Sequence, residues 1–253
     1  MAGVIAARAP GLGGPTMNAA SLAPALERAF RLKRLSAVML AINSPGGSPV
    51  QSSLIAARVR RLAEKHAVPV IACIEDAGAS GGYWIACAAD EIVCDAASVV
   101  GSIGVISQGF GFNEALEKLG VERRVVTSGE NKSFLDPFLP ADPEHQERLR
   151  DLLSSLHEEF KNWVRSRRGD RLKGSEAELF SGRFWTGREA VAQGLADGIG
   201  DLHGEVLRRF GEDARITVLD ARRPRWPWRL FAAATGAAFS VLEERAARAR
   251  LGL

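Results

Sequence analysis

The chain is poor in the residues that most often mark a site. Histidine occurs four times, as His66, His145, His157 and His203, and nowhere between residues 67 and 144. Cysteine occurs three times, as Cys73, Cys87 and Cys94, with no CxxC pair. That spacing argues against a disulfide framework or thiolate metal cluster and points to buried reduced thiols. Only six of the 33 basic residues are lysine, so a lysine in a polar loop stands out. No block of like charge occurs: 33 cations are interspersed with 30 acids for a net charge of +3, which argues against a nucleic-acid partner. The longest uncharged apolar run, residues 230–242, has 13 members, short of the roughly 20 needed for a membrane-spanning helix. Residues 1–15 lack a basic segment followed by an apolar one, since Arg8 and Pro10 interrupt them. No secretory leader is read there, and a cytoplasmic protein is expected.

What is present is an α/β pattern. Residues 36–43 read as a buried strand that ends in the loop Ser44-Pro45-Gly46-Gly47-Ser48-Pro49. A helix follows to about His66, with Leu54, Ile55, Val59 and Leu62 at helical spacing and Arg58, Arg60, Arg61, Glu64 and Lys65 on the other face. Residues 68–74 are the next strand, and strand–helix–strand predicts a parallel pair. Residues 92–94 and 121–127 read as further strands, and Gly101-Ser102-Ile103-Gly104-Val105 as a glycine-spaced turn. Residues 144–168 form a long amphipathic helix carrying Leu149, Leu152, Leu153, Leu156, Phe160, Trp163 and Val164, either an outer helix or an oligomer contact. No internal repeat is found.

Ser80 stands in Ala77-Gly78-Ala79-Ser80-Gly81-Gly82-Tyr83-Trp84, between a strand-like and a helix-like run. A strand-to-helix turn presents a side chain at a sheet edge, and the helix N-terminus offers unpaired N–H groups to a developing negative charge. A plain helix cap would account for the serine equally well. If Ser80 is a nucleophile it needs a base, and the histidine gap turns attention to Lys132 in Gly129-Glu130-Asn131-Lys132-Ser133. A lysine can take that proton when its surroundings favour the neutral amine. The competing reading is a solvated loop lysine, which Glu130 favours.

Five ordered blocks resemble the signal peptide peptidase A family, the S49 peptidases. They are Asn43-Ser44-Pro45-Gly46-Gly47; Ala79-Ser80-Gly81-Gly82-Tyr83 with Ala88-Ala89-Asp90-Glu91-Ile92; Gly101-Ser102-Ile103-Gly104-Val105; Lys132-Ser133; and Gly182-Arg183-Phe184-Trp185-Thr186-Gly187 through Gly194 to Gly200. Their order and spacing match over about residues 35–210. The resemblance implies a ClpP/crotonase-like α/β fold (a ββα superhelix) with a C-terminal helical extension, in a peptidase domain at 1–220 followed by an Arg/Trp/Pro-rich segment at 221–253. It implies a Ser-Lys dyad of Ser80 and Lys132, oxyanion donors at the N–H groups of Gly47 and Gly81, and Ser102 as the hydroxyl orienting the lysine. A turn serine bonding its own backbone is the alternative for Ser102. Neither cofactor nor metal is implied.

The expected partners are a peptide substrate and further copies of the chain in a ring. Membrane contact, peripheral to the inner membrane, is expected through residues 226–242, where Trp226, Trp228, Phe231 and Phe239 suit an interfacial helix. Thr186 is read as a helix N-cap with Glu189 completing a capping box. The chain departs from the family at Val100, where threonine is common, and in the absence of an N-terminal anchor. Two rivals stay open: a crotonase-like acyl-CoA enzyme and a noncatalytic membrane-associated scaffold of the same fold.

Overall fold

A computed structural model describes the backbone of residues 2–8 and the full residues 18–129 and 132–219. The expected extension over 221–253, with its membrane-contact segment 226–242, lies outside the described residues. Two compact units are present. The first comprises residues 1–104 and 160–253, the second 105–159.

In the first unit β1 (Ala2–Arg8) is followed by α1 (Ala19–Phe30), β2 (Ala37–Ser44), α2 (Pro49–His66), β3 (Val70–Ala79), α3 (Gly81–Ala86), β4 (Glu91–Cys94) and β5 (Val99–Gly101). The second unit holds α4 (Asn113–Lys118) and the start of α5 (Pro143–Arg168), whose residues from Phe160 onward belong to the first unit. The chain continues with α6 (Glu176–Leu179), β6 (Phe184–Thr186), α7 (Gly187–Ala192), β7 (Gly198–Ile199), α8 (Leu202–Phe210) and β8 (Ile216–Val218).

The sheet runs β6-β5-β3-β2-β1-β8, with β4 pairing both β3 and β7. β2 and β3 pair in parallel as expected, Val38 opposite Val70 through Ile42 opposite Ile74. Their side chains alternate between two cores with the period of a strand. Val38, Leu40, Ile42, Val70, Ala72 and Ile74 pack beneath α1, α2 and α3. Met39, Ala41, Ile71 and Cys73 face Val206 of α8. Coverage of both faces is why these strands read as continuous apolar runs.

β3 is the axis of the site. Its first half pairs β4 at residues 71–74, and its last three residues pair β5. Between them Glu75 and Asp76 are exposed. Ser98 stitches the break, its buried hydroxyl donating to the Glu75 carbonyl at 2.5 Å. α2 starts where its sequence asks it to. Ser48 is the N-cap, accepting from the Gln51 N–H, and Pro49 occupies the first turn. The helix ends in Ala67, left-handed at φ 52°, after Lys65 and His66.

The C-terminal end of α5 buries Phe160, Val164 and Arg168, four residues apart on one stripe. Phe160 stacks on Trp84 at 4.6 Å. Arg168 grips Asp197 through two nitrogens, at 2.8 and 3.0 Å, and the Gly194 carbonyl at 2.7 Å. Burial raises the Asp197 carboxyl, but the hydrogen bonds from Arg168 and the Ile92 N–H outweigh it and hold the group below its ordinary range.

The structure departs from the sequence expectations at residues 121–127 and in elements without a strong local signal, among them β1, α1 and α8. Residues 121–127 form no strand: the segment is exposed and without a sheet partner among the described residues. Arg123 is occupied instead by an ion pair with Asp136 at 3.0 Å and lies over the Phe138 ring. β1 and α1, for which no element was read, supply a central strand and part of a core layer. Cys73, Cys87 and Cys94 are free and buried, as expected. Burial pushes their thiols up to about 12, about 12 and about 11. Among the described residues no helix is long and apolar enough to cross a membrane.

Candidate active site

Ser80 lies at the turn between β3 and α3. Its N–H donates to the Gly101 carbonyl of β5 at 2.8 Å, and its carbonyl accepts from the Trp84 N–H at 3.0 Å, the first bond of α3. Between these anchors the residue adopts φ 50°, ψ −120°, a conformation that costs a non-glycine residue on the order of 1–3 kcal/mol. Such a strained strand-to-helix elbow lifts a side chain clear of the sheet. The Ser80 hydroxyl makes no capping bond to the helix, so the plain-cap reading is not realised.

α3 is buried along its whole length and held at its carbonyl end. Trp163 donates to the Trp84 carbonyl at 2.9 Å, Arg167 to Cys87 at 2.9 Å and Arg60 to Ala88 at 3.2 Å. The Tyr83 hydroxyl donates to the Leu195 carbonyl at 2.8 Å, and burial keeps its proton on well above the usual range. Cations at a helix C-terminus also favour its dipole.

The loop between β2 and α2 closes on this turn. A Cβ on Gly46 would lie 2.8 Å from the Ser80 Cβ, 3.1 Å from its Oγ and 3.2 Å from the Gly81 nitrogen. A Cβ on Gly81 would lie 3.2 Å from the Gly47 nitrogen. The amides of Gly47 and Gly81 therefore stand together beside Ser80, and neither has an acceptor among the described residues. The Gly46 N–H is spent on the Ser44 hydroxyl at 3.3 Å.

Ser102 follows the Gly101 carbonyl that holds Ser80. It is half-buried, left-handed at φ 52°, and donates its N–H to the Arg183 carbonyl at 2.8 Å. Its hydroxyl forms no hydrogen bond among the described residues, so the turn-serine alternative is not realised. Lys132 lies in the second unit, in an exposed turn where its N–H donates to the Gly129 carbonyl at 3.2 Å. The structure thus brings Gly46, Gly47, Ser80, Gly81 and Ser102 into one unit and places Lys132 in the other.

A histidine partner within the first unit has no route to Ser80. Ser52 of α2 abuts Gly81, whereas His66 is the last residue of that helix, 14 positions on, or about 21 Å at 1.5 Å per residue. His203 is exposed on α8, which covers the opposite face of the sheet. Ser52 carries no role in the sequence expectations, and Ser44 none beyond its place in the Asn43–Gly47 block. Ser44 sends its carbonyl against Gly82, and Ser52 is buried against Gly81. For Ser52 the local signal was a serine four residues after the N-cap of α2. Among the described residues no cluster of three or more His, Cys, Asp or Glu is arranged to hold a metal ion.

A largely parallel α/β sheet, with a strained serine turn set against a glycine-rich loop, has the ClpP/crotonase-like architecture. Residues 63–216 match peptidase family S49, and the chain belongs to that family. Similarity reaches 49% identity over 209 residues with a Brucella abortus protein named Na(+)/H(+) antiporter NhaA, covering 83% of this chain and 28% of that protein. A putative protease of Methanocaldococcus jannaschii is 32% identical over 180 residues, 71% of this chain and 57% of its own length. A chloroplastic serine protease SPPA of Arabidopsis thaliana is 32% identical over 201 residues, 76% of this chain and 29% of its own. The chain thus spans little more than a quarter of the first of these relatives.

Proposed function

We propose that the chain hydrolyses peptide bonds as a serine peptidase with a Ser-Lys dyad. Ser80 is the nucleophile and Lys132 the general base. The N–H groups of Gly47 and Gly81 hold the tetrahedral oxyanion, and the Ser102 hydroxyl orients the lysine amine. The observation that carries this reading is the strained Ser80 elbow, with no hydrogen-bond partner for its hydroxyl and no acceptor for the two amides beside it among the described residues. Lys132 takes the Ser80 proton as the oxygen attacks the carbonyl carbon. The collapsing intermediate expels the amine, which takes the proton back from Lys132, and water, deprotonated by the neutral lysine, then releases the acyl group as a carboxylic acid while Ser80 regains its proton. An oxyanion donor of this kind contributes about 3 kcal/mol to the transition state.

Apolar peptides, including remnants of signal peptides, are the proposed substrates, and a homo-oligomeric ring the proposed assembly. Residues 1–220 are the proposed peptidase domain, and 226–242 the proposed contact with a membrane surface. The decisive experiment is labelling of the full chain by a fluorophosphonate. Label on Ser80 that is lost in both Ser80→Ala and Lys132→Ala supports the dyad. Labelling that survives Lys132→Ala unchanged overturns the base assignment. Absence of labelling in the wild type favours the acyl-CoA or scaffold reading. Because the amine must shed its proton before acting, turnover limited by chemistry rises toward alkaline pH.

A further inference from the structure

We propose that Ser52 is a positioning residue that sets the spacing of the two oxyanion amides, an inference that rests on the assignment of Ser80 as nucleophile. Ser52 is among the few buried polar side chains of the described residues, 5% exposed. It lies in the first turns of α2, directly after the glycine loop. Its hydroxyl donates to the Ser48 carbonyl at 3.1 Å, the same carbonyl that accepts the Ser52 N–H at 3.0 Å. Ser48 is the residue after Gly47, so this double grip ties the end of the loop to the helix.

The oxygen of that hydroxyl also meets Gly81. A Cβ added to Gly81 would overlap Ser52 Oγ, and the same position lies 3.2 Å from the Gly47 nitrogen and 3.5 Å from the Gly46 carbonyl carbon. The Gly81 Cα therefore sits in a notch formed by Ser52 Oγ and the Gly46–Gly47 peptide. One side chain thus touches the element carrying each amide: through Ser48 it holds the loop of Gly47, and by contact it stops the advance of Gly81. Backbone donors have no rotamer with which to adjust, so their separation is set by whatever packs between the segments that bear them. Ser52 is what packs there. A helix interior gains little from a serine bonded to the carbonyl four residues back, so its presence is accounted for by the contact it makes across to α3.

The test compares Ser52→Ala, which removes the oxygen, with Ser52→Thr, which keeps it. Both are measured in the full chain on a peptide substrate, with two ligands of one sequence alongside. One ends in a boronic acid, whose adduct with Ser80 places an oxygen in the oxyanion position, and the other ends in an amide. For Ser52→Ala the expected result is a kcat lowered by about 10–100-fold, the loss that a misplacement of up to an ångström produces, with KM within about twofold. Boronate affinity falls by a similar factor, amide affinity holds, and Ser52→Thr recovers most of the loss. Wild-type kcat and boronate affinity in Ser52→Ala would overturn the proposal. So would an equal loss of both ligands together with a lowered melting temperature, or a threonine no better than alanine. A wild type that binds the boronate no better than the amide overturns the nucleophile assignment itself, and is thereby distinguished from a failure confined to Ser52.

Discussion

Placing one methyl group on Gly46 is the sharpest perturbation the site offers. An alanine there would put its Cβ 2.8 Å from the Ser80 Cβ, where carbon atoms prefer about 3.5–4.0 Å. The backbone stands at φ 123°, a region that L side chains rarely adopt. Neither obstacle can be relieved at a side-chain tip, because the opposing atoms belong to the Ser80 turn and the Gly81 amide. That turn is fixed by the Gly101 carbonyl on one side and the anchored α3 on the other. The loop must therefore move, by about the 0.7–1.2 Å that separates the contact from its optimum. It carries the Gly47 amide with it. A shift of an ångström costs about 100-fold, or about 2.7 kcal/mol at 1.36 kcal/mol per decade, and full loss of the donor costs up to about 1,000-fold. We expect Gly46→Ala to lower kcat by about 100–1,000-fold with KM little changed. Its folding stability should fall by about 1–3 kcal/mol, the usual penalty of overpacking. Steady-state kinetics on a peptide substrate, paired with urea denaturation, measures both. A variant that folds normally and keeps kcat within threefold of wild type would refute the placement of the loop against Ser80.

Three further outcomes follow from the same structure. Asp197→Asn should cost about 3–5 kcal/mol in urea denaturation at pH 7, because it leaves the Arg168 guanidinium, 2% exposed, without its counter-charge. The folded Asp197 carboxyl is held below its ordinary value, so its contribution is full at neutral pH and is lost as pH falls below about 4 toward the folded value; the gap between variant and wild type should narrow there, and a gap independent of pH would exclude the charge as its source. The three thiols should resist an aromatic disulfide reagent at pH 8 and react in denaturant, since all are buried and raised to about 11 or 12; one fast thiol in the folded protein would contradict this. Thr186→Ala should lower stability by about 1 kcal/mol in the same denaturation, through loss of the hydroxyl oxygen that accepts from the Glu189 N–H, while leaving kcat unchanged.

The parts of the fold legible in the sequence are those whose signal is local. β2, α2 and β3 could be read because a strand buried on both faces is an unbroken apolar run and a helix on its surface is periodic. The capping box of Thr186 and Glu189 could be read because its partners are three residues apart, and both of its hydrogen bonds are formed. α1 was not legible because Pro24 stands inside it; burial of Leu22, Ala25, Leu26, Ala29 and Phe30 outweighs the bond the proline removes. Residues 121–127 misled in the opposite direction. Valines favour a strand only where an edge is present to pair with, and Arg123 pairs with Asp136 instead. At the site, the Ser80 turn was legible as a local event. That α2 meets it through Ser52 was not, because that contact joins residues 29 positions apart.

The chemistry assigned to Gly47 and Gly81 resides in main-chain atoms. Drift in side-chain charge or polarity cannot tune it, since every amino acid but proline carries the same N–H. What such a site cannot tolerate is bulk. At Gly46 and Gly81 nearly every base change in the codon that alters the residue adds at least a Cβ where Ser80 or Ser52 already stands. The proposed centre therefore has a narrow mutational target with an abrupt edge, and a descendant could lose that chemistry in one nucleotide while keeping its fold.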